Sequence, residues 1–207
     1  TSTKYSPTIS TSSRVTTPTA NWKAVFYAAG NVSPFADPLV ENGIVLVGAW
    51  DINAIPVAEM CLSHILLSLR GYFSAVRRYK EMKTGVAKTF PRSGVFGETV
   101  GLIGLGKIGT RVRDLLANYP VKVIAHDPFL TDSRAKELEV ESVSLEQVFE
   151  RSLVVSNHIH DLKSTAGALN ATHVKVMREG ATFINSGRGA QVVEQDLIRV
   201  FSARPDL

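Results

Sequence analysis

The chain has 207 residues, 44% of them apolar and 20% charged, with a net charge of +4 at neutral pH. That length can bury a core in one or two domains, and no apolar run reaches the roughly 18 residues that would span a bilayer. The single cysteine, Cys61, rules out an intrachain disulfide and points to a cytoplasmic protein.

Residues 1–20 contain twelve Ser or Thr and two prolines, a composition expected to be disordered or an extended edge. The same acid-free stretch also suits an organelle transit peptide, and the chain starts at Thr1 rather than Met. "KAVFYAAG" and "GIVLVGA" read as two short buried strands, separated by the turn-rich "NVSPFADPLVENG". Asn53 to about Lys83 is one long helical pattern, with Pro56 placed in its first turn. Within it "IPVAEMCLSHILLSL" carries Glu59 and His64 and reads as a largely buried core helix, with Cys61 a small core residue. A Gly/Pro-punctuated connector follows, "TGVAKTFPRSGVFG". Seven basic residues against one Glu lie between Arg70 and Arg92. No recognisable nucleic-acid module accompanies them, so they read as a solvated helix face and a linker.

From Thr99 onward, short β-rich apolar runs alternate with helices. "VGLIG", "VKVIAHD", "LVVSN" and "ATFIN" are strands; "KIGTRVRDLLANY", "DSRAKELE", "SLEQVFE", "THVKVM" and "VVEQDLIRVFSAR" are helices. This beat predicts an α/β fold with a doubly wound parallel sheet covered on both faces.

"GLIGLGKIG" contains Gly104-x-Gly106-x-x-Gly109 between a strand and a helix, and the next strand ends in Asp127. That context makes it the dinucleotide fingerprint. Gly104 permits the tight turn, Gly106 lets the backbone approach a pyrophosphate, and Gly109 lets the helix pack closely on the strand. The helix start at Lys107 and Ile108 turns N–H groups and a positive dipole end toward phosphate. Asp127 would bind the adenosine ribose hydroxyls and repel a 2′-phosphate, which favours NAD over NADP. "GATFINSGRGA" delivers Arg188 between two glycines to the end of a strand, either as a solvated turn charge or as an anion-binding fork.

Together these residues resemble the D-2-hydroxyacid dehydrogenases, a D-isomer specific, NAD-dependent family. The resemblance is carried by "KAVFYAAGNV", "NAIPVAE", "GETVGLIGLGKIG", "VIAHDPF", "VVSNHIHDLKSTAG" and "GATFINSGRGA", in order, from about Lys23 to the end. It implies a Rossmann-like NAD-binding domain over 51–207 and a partial, flavodoxin-like substrate domain over 1–50. The family's enzymes are usually homodimers built through the nucleotide domains; the chain's own composition adds no expectation of a nucleic acid or membrane partner. Arg188 falls where the family keeps the arginine that anchors the substrate carboxylate and polarises the carbonyl. Ala29 and Gly30 match the loop whose N–H groups help hold that carboxylate. His158 and Thr165 match the loop beside the nicotinamide, and Ser186 and Gly187 join the cofactor side of the Arg188 loop. The implied reaction is NAD-linked interconversion of a 2-oxo acid and a D-2-hydroxy acid.

The chain departs from the family pattern in four places. "HIH" stands where "HxP" is usual, with His160 for proline, and "SGRG" stands where "TARG" is usual. His158 and His160 have no third ligand nearby in sequence, so no metal is expected. The Ser/Thr-rich lead stands where the substrate domain usually begins, and the family's catalytic histidine and its glutamate partner are expected beyond Leu207. A NAD(H)-binding sensor or co-repressor-like module without turnover is the alternative for a chain ending there.

Overall fold

The computed structural model describes residues 21–82 and 94–207. The Ser/Thr-rich lead, Lys83 and most of the Gly/Pro connector lie outside the described residues. The chain divides into two compact units, Thr1–Ala54 and Ile55–Leu207.

In the first unit, β1 (Ala24–Tyr27) and β2 (Val45–Gly48) pair in parallel, Ala24 opposite Val45 and Tyr27 opposite Gly48. The segment between them is a helix, α1 (Ser33–Glu41), rather than the turn-rich loop its punctuation suggests. A proline in the first turn presets helical φ there, because its missing N–H has no helical partner in any case. Asn42 and Gly43 stop the helix: Asn42 Nδ2 donates to Pro38 O at 2.8 Å, and Gly43 takes a φ of +71°. The strands are not buried as their apolar residues suggest, for Phe26 is 79% and Val45 59% exposed. Among the described residues they pair only with each other, and two four-residue strands cannot cover both their faces.

The single long helix expected over 53–83 is two, α2 (Trp50–Leu69) and α3 (Tyr72–Met82). They break at Gly71, whose φ of +70° no helical residue adopts. Pro56 lies well inside α2, not in its first turn. By length and composition alone α2 could cross a membrane, a correction to the reading of its apolar run. Nor is it largely buried as expected: only a third of it is covered, by one stripe of Ala58, Cys61, Ile65 and Leu69 at helical spacing, while Ile52, Met60 and Leu67 are exposed.

In the second unit, β3 (Thr99–Ile103), β4 (Lys122–His126), β5 (Glu141–Ser142), β6 (Val154–Asn157) and β7 (Thr182–Asn185) form one parallel sheet in the order β5-β4-β3-β6-β7. The connecting helices are α4 (Lys107–Leu116), α5 (Asp132–Glu137), α6 (Leu145–Arg151) and α7 (Ala171–Lys175), and α8 (Glu194–Ala203) follows β7. Val100, Leu102, Val154 and Val155 are fully buried, as central strands covered on both faces require. The short polar β5 carries no apolar pattern and was not legible as a strand.

The chain builds β3, β4 and β5 in one direction, then returns to add β6 and β7 on the other side of β3. That reversal is the topological switch point at which open α/β sheets bind ligands, at the carboxyl ends of their strands. The register sharpens this. Ile103 lies opposite both His126 and Asn157, and Asn157 opposite Asn185. The residues that follow, Gly104, Asp127, His158 and Ser186, therefore leave the sheet at one level.

Candidate functional site

The loop after β3 is shaped by missing side chains. Gly104 has a φ of +86°, and a Cβ there would sit 3.1 Å from the His158 carbonyl and Ile159 N. A Cβ on Gly109 would collide with the Gly104 carbonyl oxygen, so the first turn of α4 packs directly on the strand-end turn. Gly106 differs: a Cβ there meets nothing within 4 Å. It opens α4 without any side-chain cap, and the first N–H groups of a helix have no carbonyl inside the helix to bind. Lys107 and Ile108 belong to that first turn. The result is open space in front of a positive dipole end, the shape and charge a pyrophosphate needs.

Asp127 leaves β4 beside this loop. Its Oδ2 accepts from Leu105 N at 2.7 Å and its Oδ1 from Phe129 N at 2.8 Å. The carboxylate thus braces the fingerprint turn from within while remaining half-exposed at the strand end.

On the other side of β3, His158 leaves β6 with its ring buried. Burial lowers its pKa to about 4, so the ring is neutral near pH 7. The Ser186 hydroxyl donates to Asn157 O at 2.7 Å, which leaves its oxygen to accept from His158 Nδ1, also at 2.7 Å. Nε2 is then the unprotonated nitrogen, buried without a hydrogen-bond partner. His158 therefore contributes to this face through its backbone, not its ring. Thr165 is also turned inward: its Oγ1 lies 2.9 Å from the carbonyls of His160 and Leu162 and accepts from Leu162 N at 3.1 Å. That brace holds the loop where His160 stands.

After β7 the chain turns through Ser186, Gly187 and Arg188 into a 3₁₀ turn, Gly189–Gln191. The Arg188 side chain is 60% exposed, with Nε 3.9 Å from Asp161 Oδ2. Under it lies a cluster that sequence reading missed. Asn157 and Gln191 are fully buried and, with Asn185, hydrogen-bond one another and the backbone of both loops. The available signal was slight: an Asn ending each of two strands, and a Gln three residues past the arginine. Below them Cys61 is buried, which pushes its thiol pKa up against the lowering influence of Ser186 and Ser156.

Ala29 and Gly30 lie in the first unit, half-buried just after β1. A Cβ on Gly30 would stand 3.4 Å from Asn53 Nδ2, so a methyl fits there only in contact. His173 lies in α7, buried against Phe149, and His64 in α2 bonds Met60 O, both ordinary helix positions as expected.

Residues 62–205 match the family described as D-isomer specific 2-hydroxyacid dehydrogenase, NAD binding domain. D-3-phosphoglycerate dehydrogenase of Mycobacterium tuberculosis is 30% identical over 161 residues, covering 78% of this chain and 30% of the relative. The enzyme of the same name from Synechocystis sp. is 32% identical over 157 residues, covering 76% of this chain and 28% of the relative. This chain thus spans under a third of the length of these relatives. Among solved structures, the NAD-complexed D-isomer specific 2-hydroxyacid dehydrogenase of Lactobacillus delbrueckii superposes with a TM-score of 0.73 at 22% identity, over 87% of this chain and 55% of that one. That likeness concerns the fold.

Proposed function

Since the chain belongs to the D-isomer specific 2-hydroxyacid dehydrogenase family and carries its NAD-binding domain, we propose that the protein interconverts a 2-oxo acid and a D-2-hydroxy acid with NAD(H). One observation carries this reading. The order of parts along the sheet, Asp127 on β4, the glycine loop on β3, the His158 loop on β6 and Arg188 after β7, is the order of parts of a dinucleotide followed by its substrate. Three strand spacings of about 4.8 Å set Asp127 roughly 14 Å from the start of the Arg188 loop, a span suited to an extended dinucleotide.

The chain's residues then have distinct tasks. Gly104, Gly106 and the start of α4 at Lys107, Ile108 and Gly109 hold the pyrophosphate; Asp127 holds the ribose hydroxyls and disfavours a 2′-phosphate. The backbone at His158, the Thr165-braced loop, Ser186 and Gly187 line the nicotinamide half. When bound, NAD supplies the hydride acceptor or donor. Arg188 binds the carboxylate and the keto oxygen of the substrate in one plane, which lysine, a point charge, cannot do. As negative charge grows on that oxygen, the guanidinium stabilises it. His158 and His173 are not placed to give the keto oxygen its proton: both rings are buried, His158 with Nδ1 on Ser186 and His173 against Phe149.

The same reading carries a cytoplasmic homodimer, with Met60 and Leu67 of α2 and Tyr72, Phe73 and Tyr79 of α3 supplying exposed apolar surface. Light scattering after size exclusion tests it. The activity is tested with the protein carrying its native termini, by following NADH absorbance against glyoxylate, pyruvate, hydroxypyruvate and bulkier 2-oxo acids. Oxidation with at least one supports the proposal; NADH binding with no turnover on any contradicts it.

A further inference from the structure

We propose that Gln191 is a positioning residue: its buried amide sets the turn that presents Arg188 and locks that turn to the loop after β6. This rests on the reading of Arg188 as the substrate anchor. Gln191 Oε1 accepts from Arg188 N at 3.2 Å and from Asn157 Nδ2 at 2.9 Å, while Nε2 donates to Ile159 O at 2.8 Å. Asn157 Oδ1 accepts from Ile159 N at 3.1 Å, and its Nδ2 also reaches Asn185 Oδ1 at 2.9 Å. Asn185 Oδ1 accepts from Gly187 N at 3.1 Å. Both backbone groups of Ile159 and the N–H groups of Gly187 and Arg188 therefore end on three side-chain amides.

Among the described residues the mostly exposed guanidinium has only a long contact, to Asp161. Its place is thus set by its backbone, and that backbone by Gln191. Ile159 adjoins the fingerprint turn, since a Cβ on Gly104 would stand 3.1 Å from Ile159 N. Gln191 accordingly fixes the arginine relative to the cofactor cradle and not merely to its own strand. The "SGRG" departure has its physical cause here: a Cβ at Gly187 would collide with Gln191 Oε1 and lie 3.0 Å from Asn157 Nδ2. Gly187 and Gln191 belong together as a pair. An apolar side chain of equal volume would fill the space of Gln191 but hold none of these backbone groups.

The test uses oxamate, a planar stand-in for a 2-oxo acid, titrated into the NADH-loaded protein with its native termini. Gln191→Met keeps length and volume without the hydrogen bonds. It is expected to weaken oxamate roughly 10²-fold, the cost of misplacing an anchoring group by about an ångström, while NADH affinity is unchanged. Arg188→Lys is measured beside it. If that variant binds oxamate as the wild type does, the anchor reading fails. If it weakens oxamate and Gln191→Met does not, the anchor reading stands and the positioning role is overturned. A lower melting temperature for Gln191→Met with wild-type oxamate affinity below the melt also overturns it, as a scaffold role alone. Should Gln191→Met not fold, Gln191→Asn keeps an amide but shortens it by one methylene, withdrawing it from Arg188 N and Ile159 O. Weaker oxamate binding is expected from it, and unchanged oxamate affinity contradicts the proposal.

Discussion

The loop after β3 and the loop after β7 leave the same sheet at the same level, yet they are held in shape by opposite means. The first is made by removing side chains: Gly104 turns at a φ of +86°, and Gly109 lets helix and turn touch through backbone. The second is made by adding them, with Asn157, Asn185 and Gln191 binding backbone groups that no neighbouring strand can reach. A loop made of backbone can approach a ligand closely and has few ways to vary. A loop held by buried amides can present a long charged side chain, but it depends on every partner being satisfied.

The sharpest way to break the comparison is Gly109→Val. Its Cβ has no place against the Gly104 carbonyl, so we expect a loss of about 4 kcal/mol in stability, read by denaturant unfolding. A loss under about 1 kcal/mol would mean that the close approach of α4 is not obligatory.

His158 lies between the two loops, beneath Gly104 and bonded to Ser186, so its titration probes their junction. Its pKa falls from 6.5 to about 4 on folding. The unfolded chain then binds the extra proton between these values, and stability drops as pH falls through that window. The contribution is complete above about 6.5 and fully lost below about 4, roughly 3 kcal/mol in all. His173, also lowered by burial, adds in the same direction. Melting temperatures across this range should fall with pH, and His158→Asn, which keeps a donor toward Ser186, should flatten the decline. An unchanged decline in that variant contradicts the assignment.

The smallest of these effects lies at the far end of the glycine loop. Asp127→Ser removes the charge that opposes a 2′-phosphate and weakens the brace on Leu105 N. NADPH binding should improve relative to NADH by about 1–2 kcal/mol, on the order of tenfold, in paired titrations. An unchanged ratio would remove Asp127 from cofactor choice.

The contrast between the loops also explains what could be read from the sequence. A glycine at each of three spaced positions between a strand and a helix has few alternative reasons, so the cradle and the parallel sheet were legible from "GLIGLGKIG" and the alternating apolar runs. Asn157, Asn185 and Gln191 were not, because amides are ordinary loop residues until burial shows what they hold. The same ambiguity hid α1, where Pro34, Pro38 and Asn42 look like turn punctuation but serve a helix start, interior and stop. Gly71 failed the other way: a continuous apolar period ran through it, and only its positive φ divides α2 from α3. Arg188 was legible as an arginine worth placing, but what places it was not.

Gly106 is the most direct test of the cofactor cradle, because nothing among the described residues requires that it be glycine. Its φ of −71° suits any residue, and a Cβ there would meet none of the surrounding described residues within 4 Å. We would titrate NADH into wild type and Gly106→Ala and melt both. Equal melting temperatures are expected, with tight binding by the wild type and a loss on the order of 10²-fold in the variant as its methyl enters the pyrophosphate space. Equal NADH affinity in the two proteins would contradict this, since that space would then hold no cofactor.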